Sequence, residues 1–179
     1  MNEQTILAVD EAGNFTGEYI KKSVGHSGED KRHLAISVLL ENSKGEVLLQ
    51  KRKHQVFDNI WDVTGATHPL HLKNGHDETI EEATLRCLKR EYGIRNVGLK
   101  NLGYFNYFAK DGENCENEHC AILVGKYDGE LELNPEVGYG YKLMDKKKFL
   151  EDIEKNPDLY TAWAREAVKV LRKARFFNG

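Results

Sequence analysis

Histidine and glutamate carry the first sign of chemistry in this chain. His26 and His33 flank the entry to the stretch HLAISVLLENSKGEVLLQKR, His68 lies in THPL, and Glu116 and Glu118 lie in ENEHC. In a strand, residues two apart point to the same face, so both carboxylates look one way. Three imidazoles and two carboxylates suit a five-coordinate or octahedral divalent ion, with Mn²⁺, Mg²⁺ or Zn²⁺ as candidates. The plainer alternative is that the seven histidines are scattered and that the paired acids lie on a solvent face.

A second candidate lies on a helix. Residues 78–92 read as helical, with Asp77 as the N-cap, acidic residues in the first turn and Gly93 as the stop. Ile80, Thr84, Cys87, Leu88 and Glu91 fall on one stripe of it. A carboxylate closing a mostly apolar stripe must be paired, protonated or bound to a metal if it is buried; otherwise it reaches solvent at the stripe's edge.

These residues need strands and helices to position them. Residues 5–9 and 15–20 read as a hairpin around Asp10, Gly13 and Asn14, and residues 34–41 and 46–52 as a second around Asn42, Lys44 and Gly45. Residues 61–66 read as a short extended piece. Residues 99–108 and 116–127 read as strands around the turn at Lys110, Asp111 and Gly112. A further strand is expected at 139–144, and helices at 146–155 and about 159–175. Strand pairs, a helix, more strand pairs and closing helices make an α+β sandwich pattern, not a doubly wound sheet.

Composition bounds the function. A chain of 179 residues, 40% hydrophobic and 31% charged, is one domain with material for a real core. No apolar run approaches a membrane span, and the N-terminal residues show no basic region followed by an apolar one, so neither a membrane segment nor a signal peptide is expected. Cys87, Cys115 and Cys120 make an odd, sparse set, which suits a reducing cytoplasm. A net charge of −3 argues against a generic nucleic-acid surface and leaves room for a local basic pocket.

Glu78, Arg86, Glu91, Gly93 and Ile94 match scattered positions of the Nudix box, G-x5-E-x7-R-E-U-x-E-E-x-G-U. Leu72, Cys87 and Arg90 depart from it, and the last two replace carboxylates that hydrolases of this kind use to hold Mg²⁺. The segments KKSVGH, HLAISVLLENSKGEVLLQKR, IWDVTGATHPL, ETIEEATLRCLKREYGI, YFAKDGENCENE and YTAW are more specific. Through them nearly the whole chain resembles the type 1 isopentenyl-diphosphate isomerases, a branch of the Nudix superfamily. The resemblance implies a single Nudix domain over 1–179, with a core at about 31–155. It implies a Nudix-type α/β/α sandwich with a mixed sheet, an N-terminal hairpin and C-terminal helices.

It also implies roles. Residues matching His26, His33, His68, Glu116 and Glu118 hold one divalent metal, and the residue matching Glu91 helps to hold a second, Mg²⁺. Those matching Lys22, Arg52 and Arg86 face the substrate diphosphate; the family's basic loop between the residues matching Arg52 and Trp61 is shortened here to KHQVFDNI, which leaves Lys53 or His54 for a remaining phosphate contact. Those matching Tyr107 and Trp163 surround the hydrocarbon and its developing cation, which an aromatic face stabilises. The residue matching Glu118 is also an acid/base. Its partner in the family, a cysteine, is replaced here by Ala66. Isomerisation needs proton transfer at opposite faces of the substrate, so three readings follow: an isoprenoid-diphosphate isomerase-like enzyme, a Nudix diphosphohydrolase, or a non-catalytic diphosphate-binding module. In each, the partner is a small-molecule diphosphate.

Overall fold

The computed structural model describes residues 3–27 and 31–178. β1 (Thr5–Val9) and β2 (Phe15–Lys21) form the expected hairpin, and the four-residue turn of helix α1 (Lys22–Gly25) follows. β3 (His33–Glu41) and β4 (Glu46–Arg52) come next, then the short β5 (Trp61–Asp62) and β6 (Gly65–Thr67). Helix α2 (Ile80–Tyr92) precedes the long hairpin of β7 (Leu99–Asp111) and β8 (Asn114–Lys126). β9 (Gly138–Asp145), α3 (Lys146–Lys155) and α4 (Ala162–Lys173) close the chain.

β3 is the hub of a nine-stranded mixed sheet among the described residues. It runs parallel to β8 along its whole length, from His33 beside Glu118 to Glu41 beside Lys126, and antiparallel to β6 and β4 on its other side. Its apolar run serves both faces, because alternate residues point opposite ways. Ile36, Val38 and Leu40 pack with Ala83, Leu88 and Tyr92 of α2, whereas Leu39 packs with Val47, Phe149, Ala164, Val168 and Leu171 beneath α3 and α4. The result is an α+β fold, as the element order implied, arranged as the α/β/α sandwich that the family resemblance implied.

Three details differ from the sequence expectation. Helix α2 starts at Ile80, and its cap is Thr79, not Asp77: Thr79 Oγ1 accepts from Glu82 N at 3.1 Å while Glu82 Oε2 accepts from Thr79 N at 2.8 Å. Two reciprocal bonds hold a helix start better than one, and Asp77 is drawn instead to His71 at 2.6 Å and the Tyr19 hydroxyl at 2.9 Å. The extended piece at 61–66 splits where β3 and β4 diverge. There the Thr64 hydroxyl accepts from Leu40 N at 2.8 Å and donates to Leu48 O at 2.7 Å. The last helix begins at Ala162, capped by Thr161.

Candidate metal centre and cleft

Strand register builds the site. Glu118 on β8 has His33 as its neighbour on β3 and Tyr107 as its neighbour on β7. Glu116 lies two residues earlier on the same face. His68 follows β6, and His26 follows α1, whose Gly25 comes so close to the site that an added Cβ would lie 3.2 Å from His33 Nδ1. His68 Nε2 stands 2.8 Å from Glu118 Oε1 and 3.3 Å from His26 Nε2, and His26 Nδ1 lies 3.5 Å from Glu116. One donor atom from each of the five residues falls within 4.8 Å of all the others. They are the one such group among the described residues.

The donor set fits a divalent ion. His33 Nδ1 lies 2.9 Å from the Lys31 carbonyl, so that nitrogen carries the proton and leaves the Nε2 lone pair facing the cluster. His33 Nε2 is buried, lies 3.4 Å from Glu118 and has no hydrogen-bond partner. An orphaned buried acceptor beside two carboxylates is what an ion would satisfy. Nitrogen and oxygen donors without a thiolate suit Mn²⁺, Mg²⁺ or Zn²⁺.

The electrostatics agree. Burial, with the neighbouring imidazoles, lowers His26 to about 2, and burial lowers His68 to about 4, so both are neutral near pH 7 and able to ligate. Burial and the Glu118 charge push Glu116 well up, while His68 holds Glu118 well down against its own burial. Of the two, Glu116 is the carboxylate whose protonation the surroundings favour and Glu118 the one they keep ionised. The Tyr107 phenol, pushed well up by burial and by Glu118, stays protonated and donates to Glu118 Oε2.

A cleft of about 1070 Å³ opens onto the cluster, lined in part by His26, His68, Glu116, Glu118, Tyr107 and Trp163. The Tyr107 and Trp163 rings lie 5.9 Å apart, and the buried Trp163 indole N–H has no acceptor. Arg52 is fixed there: it donates to Asp62 at 3.1 Å, and its guanidinium lies 4.8 Å from the Trp163 ring centre. Lys22 and His54 also line the cleft. Burial lowers His54 to about 3, helped by Arg52, Arg90 and Lys22, so these three cations face one region.

Two expected site residues lie elsewhere. Arg86 does not line the cleft. Its guanidinium donates twice to Glu78, at 2.7 and 2.8 Å, and once to the His68 carbonyl at 2.8 Å, so it braces the segment carrying His68. Glu91 is 1% exposed, accepts from Gln50 at 2.9 Å and pairs with Arg90. It packs beneath β6, where a Cβ at Gly65 would lie 3.3 Å from its Oε2. Ala66 does line the cleft, and no cysteine does. Cys120 is buried against Ser37, Cys115 donates to the Ser27 carbonyl at 2.8 Å, and Cys87 lies under Ala66. Gln50 and Asp62 were missed as supports for Glu91 and Arg52. Gln50's place two residues before Arg52 on one strand was the available signal.

Comparison with known proteins bears on the family and the fold. The family model for the NUDIX domain matches residues 31–164. The isopentenyl-diphosphate Delta-isomerase 2 of Aromatoleum aromaticum is 29% identical over 100% of this chain and 92% of its own length. The isopentenyl-diphosphate Delta-isomerase of Serratia proteamaculans is 29% identical over 96% of this chain and 92% of its own. Among solved structures, DR0079 of Deinococcus radiodurans superposes with a TM-score of 0.70 at 17% identity, covering 93% of this chain and 99% of that one. A MutT protein of Methanosarcina mazei gives 0.62 at 20% identity, over 79% of this chain and 94% of its own. At such identities these two likenesses speak for the fold.

Proposed function

The chain belongs to the Nudix family, and from that premise we propose that it is a divalent-metal-dependent enzyme acting on a small isoprenoid-type diphosphate. The reaction it most resembles is the interconversion of isopentenyl and dimethylallyl diphosphate. One observation carries this reading: a three-histidine, two-glutamate cluster shares its cleft with an aromatic pair and with cationic side chains. The relatives named isopentenyl-diphosphate Delta-isomerase, matched over nearly their full length, support it. We also take the chain to act as one domain in the cytoplasm. Among the described residues no helix is long and apolar enough to cross a membrane.

His26, His33, His68, Glu116 and Glu118 would hold the ion, which supplies positive charge that keeps both carboxylates ionised and lowers their basicity. Glu118 is the proton-transfer group. Tyr107 fixes its Oε2 by donating to it and offers a proton path to the cleft. The Tyr107 and Trp163 faces flank the hydrocarbon, where a tertiary cation would develop. Lys22 and Arg52 face the diphosphate, and the buried Asp62 partner keeps Arg52 from swinging away. On the wall of Ala66 the groups able to exchange a proton are the Ser37 and Thr67 hydroxyls and any water they hold.

Ala66 is also the observation that favours a second reading, hydrolysis of the diphosphate. Against it, Cys87 and Arg90 stand where the hydrolase pattern has carboxylates, so few acidic ligands remain for a multi-metal site. Proton and phosphorus NMR of the protein with isopentenyl diphosphate, Mg²⁺ and Mn²⁺ decides between them. The dimethylallyl isomer should appear with the diphosphate intact. Release of orthophosphate or pyrophosphate would replace isomerisation with hydrolysis, and no change in either spectrum would sink both.

A further inference from the structure

We propose that Arg90 grips the substrate diphosphate, and that Glu91, a metal ligand in the family pattern, holds no ion in this protein. This rests on the diphosphate reading of the cleft. The pattern at this turn of α2 calls for adjacent carboxylates, and here one of them is an arginine. Adjacent residues of a helix point about 100° apart, and the structure shows the consequence. Arg90 lines the cleft with its side chain 41% exposed, whereas Glu91 is 2% exposed at the side chain and does not line it.

Glu91 is already satisfied. One carboxylate oxygen accepts from Gln50 Nε2 at 2.9 Å, and the other takes the Arg90 guanidinium. The same Gln50 nitrogen lies 3.2 Å from the Tyr92 hydroxyl, which in turn donates to the Thr64 carbonyl at 3.0 Å, so the network runs inward to the core. Among the described residues, Glu91 belongs to no group of three or more His, Cys, Asp or Glu ligand atoms, and the Cys87 thiol beside it is pushed well up by burial and by the Glu91 charge. An ion there would have to displace a charge-assisted pair in a buried place and would find a single carboxylate.

Arg90 is suited to the role it takes instead. A guanidinium has five N–H donors in a planar fork; Glu91 takes one end, and the exposed remainder faces the cleft. Asn134 latches the loop before β9 onto the same helix end, its Nδ2 donating to Arg90 O at 3.3 Å and its N to Glu91 O at 2.8 Å. The fields of Arg52, Arg90 and Lys22 meet at His54. A cation on α2 thus stands where the family pattern has a carboxylate, and it lines the same cleft as Lys22 and Arg52.

The test uses the full-length protein, Mn²⁺ and inorganic pyrophosphate, which carries no hydrocarbon and needs no turnover. Equilibrium dialysis with pyrophosphate present should give the same number of bound Mn²⁺ ions for wild type and Glu91→Gln. Arg90→Gln should weaken pyrophosphate binding about 10- to 100-fold, the usual effect of losing charged hydrogen bonds. One Mn²⁺ retained without pyrophosphate shows that each variant is folded around the five-residue centre. Loss of an ion in Glu91→Gln, unchanged pyrophosphate affinity in Arg90→Gln, or no pyrophosphate binding to wild type would each overturn the proposal. Pyrophosphate binding through Arg90 without turnover of isopentenyl diphosphate would leave it standing and remove only the isomerase reading.

Discussion

The Ala66 methyl group ends where a proton-transfer group is needed, since the cleft beside it holds hydroxyls but no thiol. A well-placed acid/base group contributes roughly 10² to 10⁴ in rate. Ala66→Cys is therefore expected to raise the isomerisation rate by about 100-fold at the low end of that range, read by NMR from growth of the dimethylallyl isomer. An unchanged rate would mean that proton transfer does not use this wall. His54 offers a test of the cationic field. With its imidazole lowered to about 3 by burial and by Arg52, Arg90 and Lys22, its NMR shifts should stay flat from neutral pH down to about 4.5. Pyrophosphate should raise that value by offsetting the three cations; a titration near 6.5 in the free protein would contradict the geometry. The sign for stability follows. His54, His26 and His68 all have folded values below the ordinary 6.5 of an unfolded chain. Their contribution is complete above about pH 6.5 and erodes as the pH falls toward their folded values, because the unfolded chain takes up the protons first.

On the proposed reading, helix α2 is the element on which the diphosphate contacts depend, since it carries Arg90, which lines the cleft, and Arg86, which braces the segment of His68. Its ends are held by the Thr79 capping box and by Gly93, whose φ of 71° is left-handed and favours glycine. Thr79→Ala should cost about 1 kcal/mol, a fall of roughly 2–4 °C in Tm for a chain of this size. Calorimetry with and without pyrophosphate would show whether the loss stays at the helix start. A change in pyrophosphate affinity as large as that of Arg90→Gln would mean that the helix end moves with its beginning. The β7–β8 hairpin plays the other positioning role. Its register sets Tyr107 against Glu118, and the parallel β3–β8 pairing sets His33 against the same residue. Glu118 is therefore held from both sides by backbone ladders.

At the scale of the whole molecule, the candidate metal centre draws its residues from distant parts of the chain. His26 comes from α1, His33 from β3, His68 from the end of β6, and both glutamates from β8. An ion that binds only the folded chain stabilises it by about 2.7 kcal/mol at 100 times its Kd, which corresponds to a rise of roughly 5–10 °C in Tm. Mn²⁺ should give such a rise and a chelator should reverse it. Binding should also release protons, because an ion favours the ionised form of Glu116, whose carboxyl burial and the Glu118 charge push up. Calorimetry in buffers of different ionisation enthalpy reads that release. No shift in Tm with Mn²⁺, Mg²⁺ or Zn²⁺ would remove the metal centre from the account.

By itself the sequence determined the shared face of Glu116 and Glu118 and the order of the elements, which follow from the two-residue period of a strand and from turn and cap chemistry, all local properties; the five-residue ligand set and the thiol absent at Ala66 came through the family resemblance. The sequence misplaced the α2 cap, because Asp77 and Thr79 are both good caps and only the reciprocal bond with Glu82 separates them. Only the tertiary structure decided which cations meet the ligand. Arginine side chains are long and choose among neighbours that sequence spacing does not reveal: Arg86 turned to Glu78, and Arg90 turned to Glu91 and the cleft. The burial of Glu91 was likewise decided there, since β6 and Gln50 close over it from strands whose approach to α2 is set by packing across the sheet.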